Sequence, residues 1–324
     1  MNCPICNSGA EHIETKDVTV RSGKMMQISH CKNCHHEFFN HDPSQNLAQN
    51  HLDESRLKAA GLDIPSRDAD FKNGVHQSLP YISEYISAND AGTNILEIGC
   101  SWGYFLRLLS DHGIKPYGVE INTIRSNYVN EVLKIPCVTD ISEYERRNIK
   151  FNKIFLFYVI EYIPNPVSYI QRLINLLDQN GMIILITPNL DDTLKDIYCN
   201  KGFIDFFYDE NSIHYFSVKS SQKMLERLNI DSENSTVKTH EGYSFINHIN
   251  WFLTQKPRTT NIVGGDKFVN QLIQSVNDSS SSASPNSALS GELVNLLSKF
   301  DFEYNHLLEK YDYGNQIRIV IRKE

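Results

Sequence analysis

The sequence predicts an α/β chain: an open, mostly parallel sheet with helices on both faces, preceded by a small metal-stapled module. Three observations carry this. Short apolar runs alternate with helical patterns from Asn94 to Ile186; a glycine-broken turn joins the first run to its helix at Gly99 and Gly103; and two C-x-x-C pairs stand at the amino terminus.

The 324 residues allow one large domain with additions, or two domains. A hydrophobic content of 40% suffices for a core, and a net charge of −8 disfavours a general nucleic-acid binder, which needs a basic face. No apolar run reaches membrane-spanning length, and residues 1–20 are polar, without a secretory signal. The seven cysteines fall into two close pairs and three singles, a pattern that points to a reducing, cytoplasmic setting and metal ligation instead of disulfides.

Cys3-Pro4-Ile5-Cys6 and Cys31-Lys32-Asn33-Cys34 each offer two thiolates to one ion. Four thiolates complete a tetrahedral zinc shell with no open position, so the zinc is read as structural. Ile13 to Val20 and Lys24 to His30 read as a hairpin, turned at Arg21-Ser22-Gly23, that brings the pairs together. About 40 residues bury too little apolar surface to fold alone, so the ion supplies folding free energy. Acidic and basic side chains balance in this ribbon, which argues against a nucleic-acid finger. His35 and His36 are read as surface residues, with spare ligands as the alternative. The ribbon is assigned to residues 1–40.

Residues 41–90 form an approach to the sheet, with Leu52 to Ala60 and Leu79 to Ile86 as short helices. The first core strand then runs into Glu97-Ile98-Gly99-Cys100-Ser101-Trp102-Gly103. The glycines let the backbone turn sharply and approach a ligand. A carboxylate at Glu97 suits a hydroxyl-rich ligand such as a ribose and repels phosphate. Ser101 and Tyr104 fall where a G-x-G-x-x-G dinucleotide fingerprint needs glycine, so that reading fails.

Ile114 to Glu120 reads as the second strand, and Glu120, 21 residues beyond Gly99, is placed to accept ribose hydroxyl protons. A helix follows from Thr123, with Asn122 and Thr123 at its cap. Ile135 to Val138 is a short third strand, Lys153 to Phe157 the fourth and Met182 to Ile186 the fifth, wholly apolar as buried parallel strands are. Val167 to Leu177 is the helix between the last two, and Gly181 stops the connection.

The glycine turn after an acid, the acid at Glu120, Asp140-Ile141 and the Glu161 segment before Pro164, in this order, resemble the class I S-adenosylmethionine-dependent methyltransferases. The resemblance covers roughly residues 80–245 and the last strand. It implies a Rossmann-like seven-stranded methyltransferase sheet and S-adenosylmethionine as cofactor. Glu97, Gly99 and Gly103 match its first motif, and Ser101 replaces the middle glycine. By the same resemblance Asp140 meets the adenine amino group, Ile141 lies against the ring, and residues 66–90 lie near the active site. Tyr162 stands where relatives usually carry a histidine, so that histidine's role does not transfer.

Asp191 to Glu210 is an aromatic-rich stretch that in relatives covers the substrate. It leads to Ile213-His214-Tyr215-Phe216-Ser217. His214 is the first candidate for a base, with Tyr158 and Glu161 as alternatives. The competing reading makes His214 a partner of the sheet or the cap of the helix beginning at Ser217. Ser235 to Glu241 and Gln316 to Arg322 read as the sixth and seventh strands, so the core is assigned to residues 91–245 plus 313–324. Residues 246–312 are an insertion with a flexible stretch from Ser275 to Ser290 and a helix from Leu293 to Leu308, shaping the acceptor site or an oligomer contact.

A zinc ribbon ahead of this fold resembles the sugar methyltransferases, which implies methyl transfer to a small, oxygen-rich acceptor, a sugar or nucleotide-linked sugar. The expected partners are that acceptor, with no nucleic acid and no membrane. Two other readings stand beside it: a scaffold protein with a degenerate fold, and an RNA methyltransferase, which the acidic balance weakens.

Overall fold

The computed structural model describes residues 2–40, 80–257 and 287–323. Eleven strands are described: β1 (Ile13–Thr19), β2 (Met25–Cys31), β3 (His36–Phe39), β4 (Asn94–Ile98), β5 (Lys115–Val119), β6 (Cys137–Val138), β7 (Phe151–Phe157), β8 (Leu177–Pro188), β9 (His214–Tyr215), β10 (Ser235–His240) and β11 (Gln316–Arg322). Seven of them form one sheet in the order β10-β11-β8-β7-β4-β5-β6. From β8 to β6 the neighbours are parallel, and β11 runs antiparallel to both β8 and β10. The chain leaves β4 for β5 on one side and returns to β7 on the other. Strand order reverses there, so a ligand crevice is expected at the carboxyl ends of β4 and β7.

The apolar pattern explains the layers. Ile183 and Leu185 point with Ile317, Ile319 and Ile321 to one face, where Ile170 and Leu173 of helix α5 (Pro166–Leu176) cover them. Pro166 starts that helix, where its missing N–H costs nothing. Ile95, Phe155 and Ile184 face the other side, under Phe105, Leu106 and Leu109 of helix α2 (Tyr104–Asp111) and Ile82 of a helix over 80–85, here α1. Lys153 of β7 binds Asp90 at 2.6 Å and donates to the Tyr85 carbonyl at 2.7 Å, fixing the approach segment to the sheet. Helix α3 (Thr123–Glu131) is capped by Asn122, whose Oδ1 accepts from Ile124 and Arg125. Helix α4 (Ser142–Arg146) follows β6.

Several sequence expectations are corrected. Strand β8 begins at Leu177, and Gly181 lies inside it; the register shifts between Phe151 and Lys153 of β7. A side chain at Gly181 would meet the Asp178, Phe151 and Asn152 carbonyls, so glycine here lets strands close up and does not end the connection. The amino-terminal hairpin gains a third strand, β3, and His36 is fully buried, not a surface residue. The helix expected from Leu293 begins at Ser287 (α9, Ser287–Lys310), inside the stretch read as a serine-rich loop. The helix expected over Leu52 to Ala60 lies outside the described residues, as does most of the serine-rich stretch.

The ribbon is joined to the core by backbone pairing. Strand β9 adds to it as a fourth strand in the order β1-β2-β3-β9, with Phe38 opposite His214 and Glu37 opposite Tyr215. A small core of Val18, Val20, Ile28 and Phe39 closes against Leu190, Tyr208 and Tyr215. Among the described residues, no helix is long and apolar enough to cross a membrane.

Candidate functional site

At the carboxyl end of β4 the chain turns through Gly99 (φ 73°), Ser101 (φ 50°) and Gly103 (φ 77°) before α2. A Cβ at Gly99 would lie 2.5 Å from Val159 Cγ2, so the turn requires glycine on both steric and dihedral grounds. Ser101 adopts the left-handed conformation that the middle glycine would take more easily, at a cost of roughly 1–2 kcal/mol.

Glu120, at the end of β5, is 5% exposed. Its Oε2 accepts from the Ser101 amide at 2.9 Å and its Oε1 from the Asn122 amide at 2.8 Å. It therefore ties the glycine turn to the start of α3. Beside it, Glu97 is 7% exposed, and its Oε2 is buried without a partner. Burial, with the Glu120 charge nearby, pushes the Glu97 carboxyl well above its ordinary range. Two buried carboxyls crowding a glycine turn, one with an orphaned oxygen, suit a ligand that brings hydroxyl donors and positive charge. S-adenosylmethionine, with its ribose hydroxyls, ammonium and sulfonium, has that chemistry, and the residues present fit it.

The other cofactor candidates follow β6. Asp140, after β6, is exposed, and its Oδ1 accepts from the Ser142 amide at 2.7 Å. Ile141 is 2% exposed, packed into the core with Tyr144 instead of presented at the surface.

Next along the sheet, Tyr158 follows β7 in a left-handed conformation (φ 55°), and its hydroxyl donates to Gln316 Oε1 at 2.8 Å. That bond spans from the end of β7 to the start of β11 across β8. Tyr81 of α1 stacks on Phe157 at 4.6 Å between ring centres, and the Arg318 guanidinium lies 5.7 Å from the Tyr81 ring centre while ion-paired to Glu84 at 2.8 Å. Glu161 is 3% exposed, with Thr187 Oγ1 donating to its Oε2 at 3.2 Å. Burial pushes its carboxyl up to about 8, only partly offset by its own amide and by Thr187.

His214 stands beside the Glu161 segment, where the neighbouring Ile213 amide donates to the Glu161 carbonyl at 2.8 Å. It is 2% exposed on β9, its Nδ1 is 3.1 Å from His36 Nε2, and its Nε2 is buried without a partner. Burial lowers its pKa to about 4, so it is a neutral imidazole near pH 7. The structure thus brings Glu97, Gly99, Ser101, Gly103 and Glu120 together, places Tyr158 and Glu161 next along the same edge, and sets His214 at the ribbon seam. Tyr81, Thr187, Gln316 and Arg318, which the sequence did not single out, surround Tyr158 and Glu161 on this edge. Position alone marks them: Tyr81 and Gln316 stand at the starts of α1 and β11, Thr187 near the end of β8, and Arg318 is one of two charges in β11.

At the far end of the ribbon, the four ligand sulfurs of Cys3, Cys6, Cys31 and Cys34 all lie within 4.8 Å of one another. Cys3 Sγ is 3.6 Å from Cys34 Sγ, and Cys6 Sγ 3.7 Å from Cys31 Sγ. Tetrahedral zinc with Zn–S bonds of about 2.3 Å sets sulfurs about 3.8 Å apart, so the cluster fits such an ion. It is bolted to the core: Arg227 donates to the Pro4 and Ile5 carbonyls at 2.8 and 3.0 Å, and Ser217 Oγ to the Cys34 carbonyl at 3.5 Å.

The seven-stranded sheet, its single antiparallel strand and the acid-flanked glycine turn define a Rossmann-like methyltransferase fold. The profile of the family described as methyltransferase domain matches residues 69–233, half of the chain, and the protein belongs to that family. It is 28% identical over 141 residues to a ubiquinone biosynthesis O-methyltransferase of Glaesserella parasuis serovar 5, a match covering 37% of this chain and 56% of that enzyme. Similar solved structures include a SAM-dependent methyltransferase from Archaeoglobus fulgidus (15% identity, TM-score 0.46, 78% of this chain and 96% of that one). Another is the plantazolicin methyltransferase BamL (13% identity, TM-score 0.43, 87% and 91%).

Proposed function

We propose that this chain transfers a methyl group from S-adenosylmethionine to a small, oxygen-rich acceptor, a sugar or nucleotide-linked sugar. The observation that carries the cofactor half is the pair Glu97 and Glu120 around the glycine turn, one carboxyl with an orphaned buried oxygen and the other holding the turn by two amides. The acceptor half is supported by the ribbon ahead of the fold, a resemblance to sugar methyltransferases, and by Tyr81, Tyr158, Glu161 and Gln316 along one edge.

When bound, the cofactor supplies a methyl group already activated by its sulfonium. The residues then have two tasks. The first is alignment of donor and acceptor, which can lower a barrier by roughly 7–11 kcal/mol. Tyr158, fixed to Gln316, and Tyr81, fixed on Phe157, offer rigid faces and hydroxyls for it. The second is removal of a proton from an acceptor hydroxyl or carbon acid. Glu161 is the base in this proposal: its raised pKa suits proton abstraction near neutrality, and Thr187 steadies the carboxylate. His214, sealed at the ribbon seam, is assigned to holding β9 in place. Cys3, Cys6, Cys31 and Cys34 hold a structural zinc.

A screen of nucleotide sugars with labelled cofactor tests the acceptor. Label transferred to a sugar, at a rate dependent on Glu161, is the expected result; transfer only to a non-sugar acceptor would refute the acceptor half.

A further inference from the structure

Two thiols outside the ribbon lie beneath the cofactor site. Cys100, 2% exposed, sits inside the glycine turn between Gly99 and Ser101, and Cys137, 7% exposed, is on β6. Their sulfurs are 3.7 Å apart. They meet over Gly118 of β5, where a Cβ would lie 2.7 Å from Cys100 Sγ and 3.1 Å from Cys137 Sγ. Any side chain at position 118 would fill the space in which the sulfurs touch. Cys137 also lines an open polar cleft of about 280 Å³ with Ser126, Asn130 and Val138, which gives a small oxidant a way in.

We propose that Cys100 and Cys137 form a reversible disulfide that disables the cofactor site. This rests on the reading of Glu120 as the cofactor's ribose partner. The oxidant is a peroxide. The Cys137 thiolate attacks one peroxide oxygen, an S–O bond forms, the O–O bond breaks, and water leaves with the thiol proton. The Cys100 sulfur then displaces the sulfenic oxygen, an S–S bond forms, and a second water leaves. Two thiols lose two electrons and one peroxide is reduced to two waters. A dithiol reverses the oxidation by exchange.

Closing the gap displaces the glycine turn that carries Cys100. A disulfide needs sulfurs about 2.05 Å apart, so the pair must close by roughly 1.7 Å. Cys137 is held by β6–β5 pairing and by Asn130, which accepts from its amide at 3.0 Å and donates to its carbonyl at 2.7 Å. Cys100 belongs to a turn, where its amide donates to the Val119 carbonyl at 3.1 Å and its carbonyl accepts from Gly103 at 2.8 Å, so closure strains these bonds too. Its displacement carries the next amide, that of Ser101, off Glu120 Oε2 and disturbs the carboxylate in the cofactor site.

The test uses full-length, zinc-saturated protein treated with hydrogen peroxide, then mapped by mass spectrometry under non-reducing conditions and titrated with S-adenosylmethionine. The expected result is a linked peptide pair containing Cys100 and Cys137, lighter by two hydrogens, with cofactor affinity down at least tenfold and restored by dithiothreitol. A folded Cys137→Ser protein should keep its affinity after peroxide; Cys137→Ala serves if the serine variant melts early. Absence of the linked pair, or a linked pair with unchanged affinity, would overturn the switch. Reduced protein without cofactor affinity would overturn the functional reading beneath it, while peptide mapping still reports the thiol chemistry separately.

Discussion

His36 and His214, 178 positions apart, meet with ring nitrogens 3.1 Å apart at a seam where neither is more than 2% exposed. They join the ribbon to the segment between β8 and α7 (Val218–Arg227) that is proposed to cover the acceptor. Around them Glu37 accepts from Tyr208 at 2.7 Å and pairs with Lys16, His35 pairs with Asp191 at 2.7 Å, and Arg21 pairs with Asp209 at 3.1 Å. The ribbon therefore braces the segment between β8 and α7.

One zinc per chain should be found by elemental analysis. Removing it by chelation, or by Cys31→Ser, should raise amide exchange in β9 roughly tenfold or more, because β9 pairs with the ribbon and not with the main sheet. Unchanged exchange in β9 after complete metal loss would separate the ribbon from the acceptor side.

Glu161→Gln should cut turnover by about a hundredfold with cofactor binding intact. Its carboxyl, raised from 4.5 to about 8 by burial, stays protonated in the folded protein where the unfolded chain has ionised. Turnover should therefore rise with pH through about 8, and the substitution should remove that limb. The folded state binds the extra proton, so this group favours folding at low pH, and the contribution is lost as pH climbs from about 4.5 to about 8. Glu241, also raised to about 8 by burial, adds a stability slope of the same sign, so the turnover limb is the readout specific to Glu161. A limb near pH 4 that vanishes in His214→Ala would move the base to His214.

Much of the site was legible in the sequence, because the glycine turn, Glu97 and Glu120 are local features whose spacing follows from one βαβ unit. The C-x-x-C pairs were legible for the same reason. The seam was not. Strand β3, His36 to Phe39, is buried on both faces and shows no alternation, and β9 is two residues long. Neither carries a period, and their pairing is set by docking of distant segments. The burial of His214 follows from that same pairing. The Cys100–Cys137 contact was equally hidden, since only the parallel register of β5 and β6 brings Cys137 beside Gly118.

Glu120→Ala should weaken S-adenosylmethionine binding by roughly 10–150-fold, the equivalent of about 1.5–3 kcal/mol for a charge-assisted hydrogen bond. Glu120→Gln should lose less, because one oxygen remains to accept an amide. Since Glu120 also anchors Ser101 and Asn122, the alanine variant should melt earlier than wild type, and affinity is to be compared below both transitions. Equal affinities for wild type and a folded Glu120→Ala protein would place the ribose contact elsewhere.

The most direct test is isothermal titration of the reduced, zinc-loaded chain with S-adenosylmethionine. The account predicts saturable binding at one site per chain, weakened by Glu120→Ala and unaffected by Glu161→Gln. No heat of binding at millimolar cofactor, from a protein shown to be folded, would contradict it.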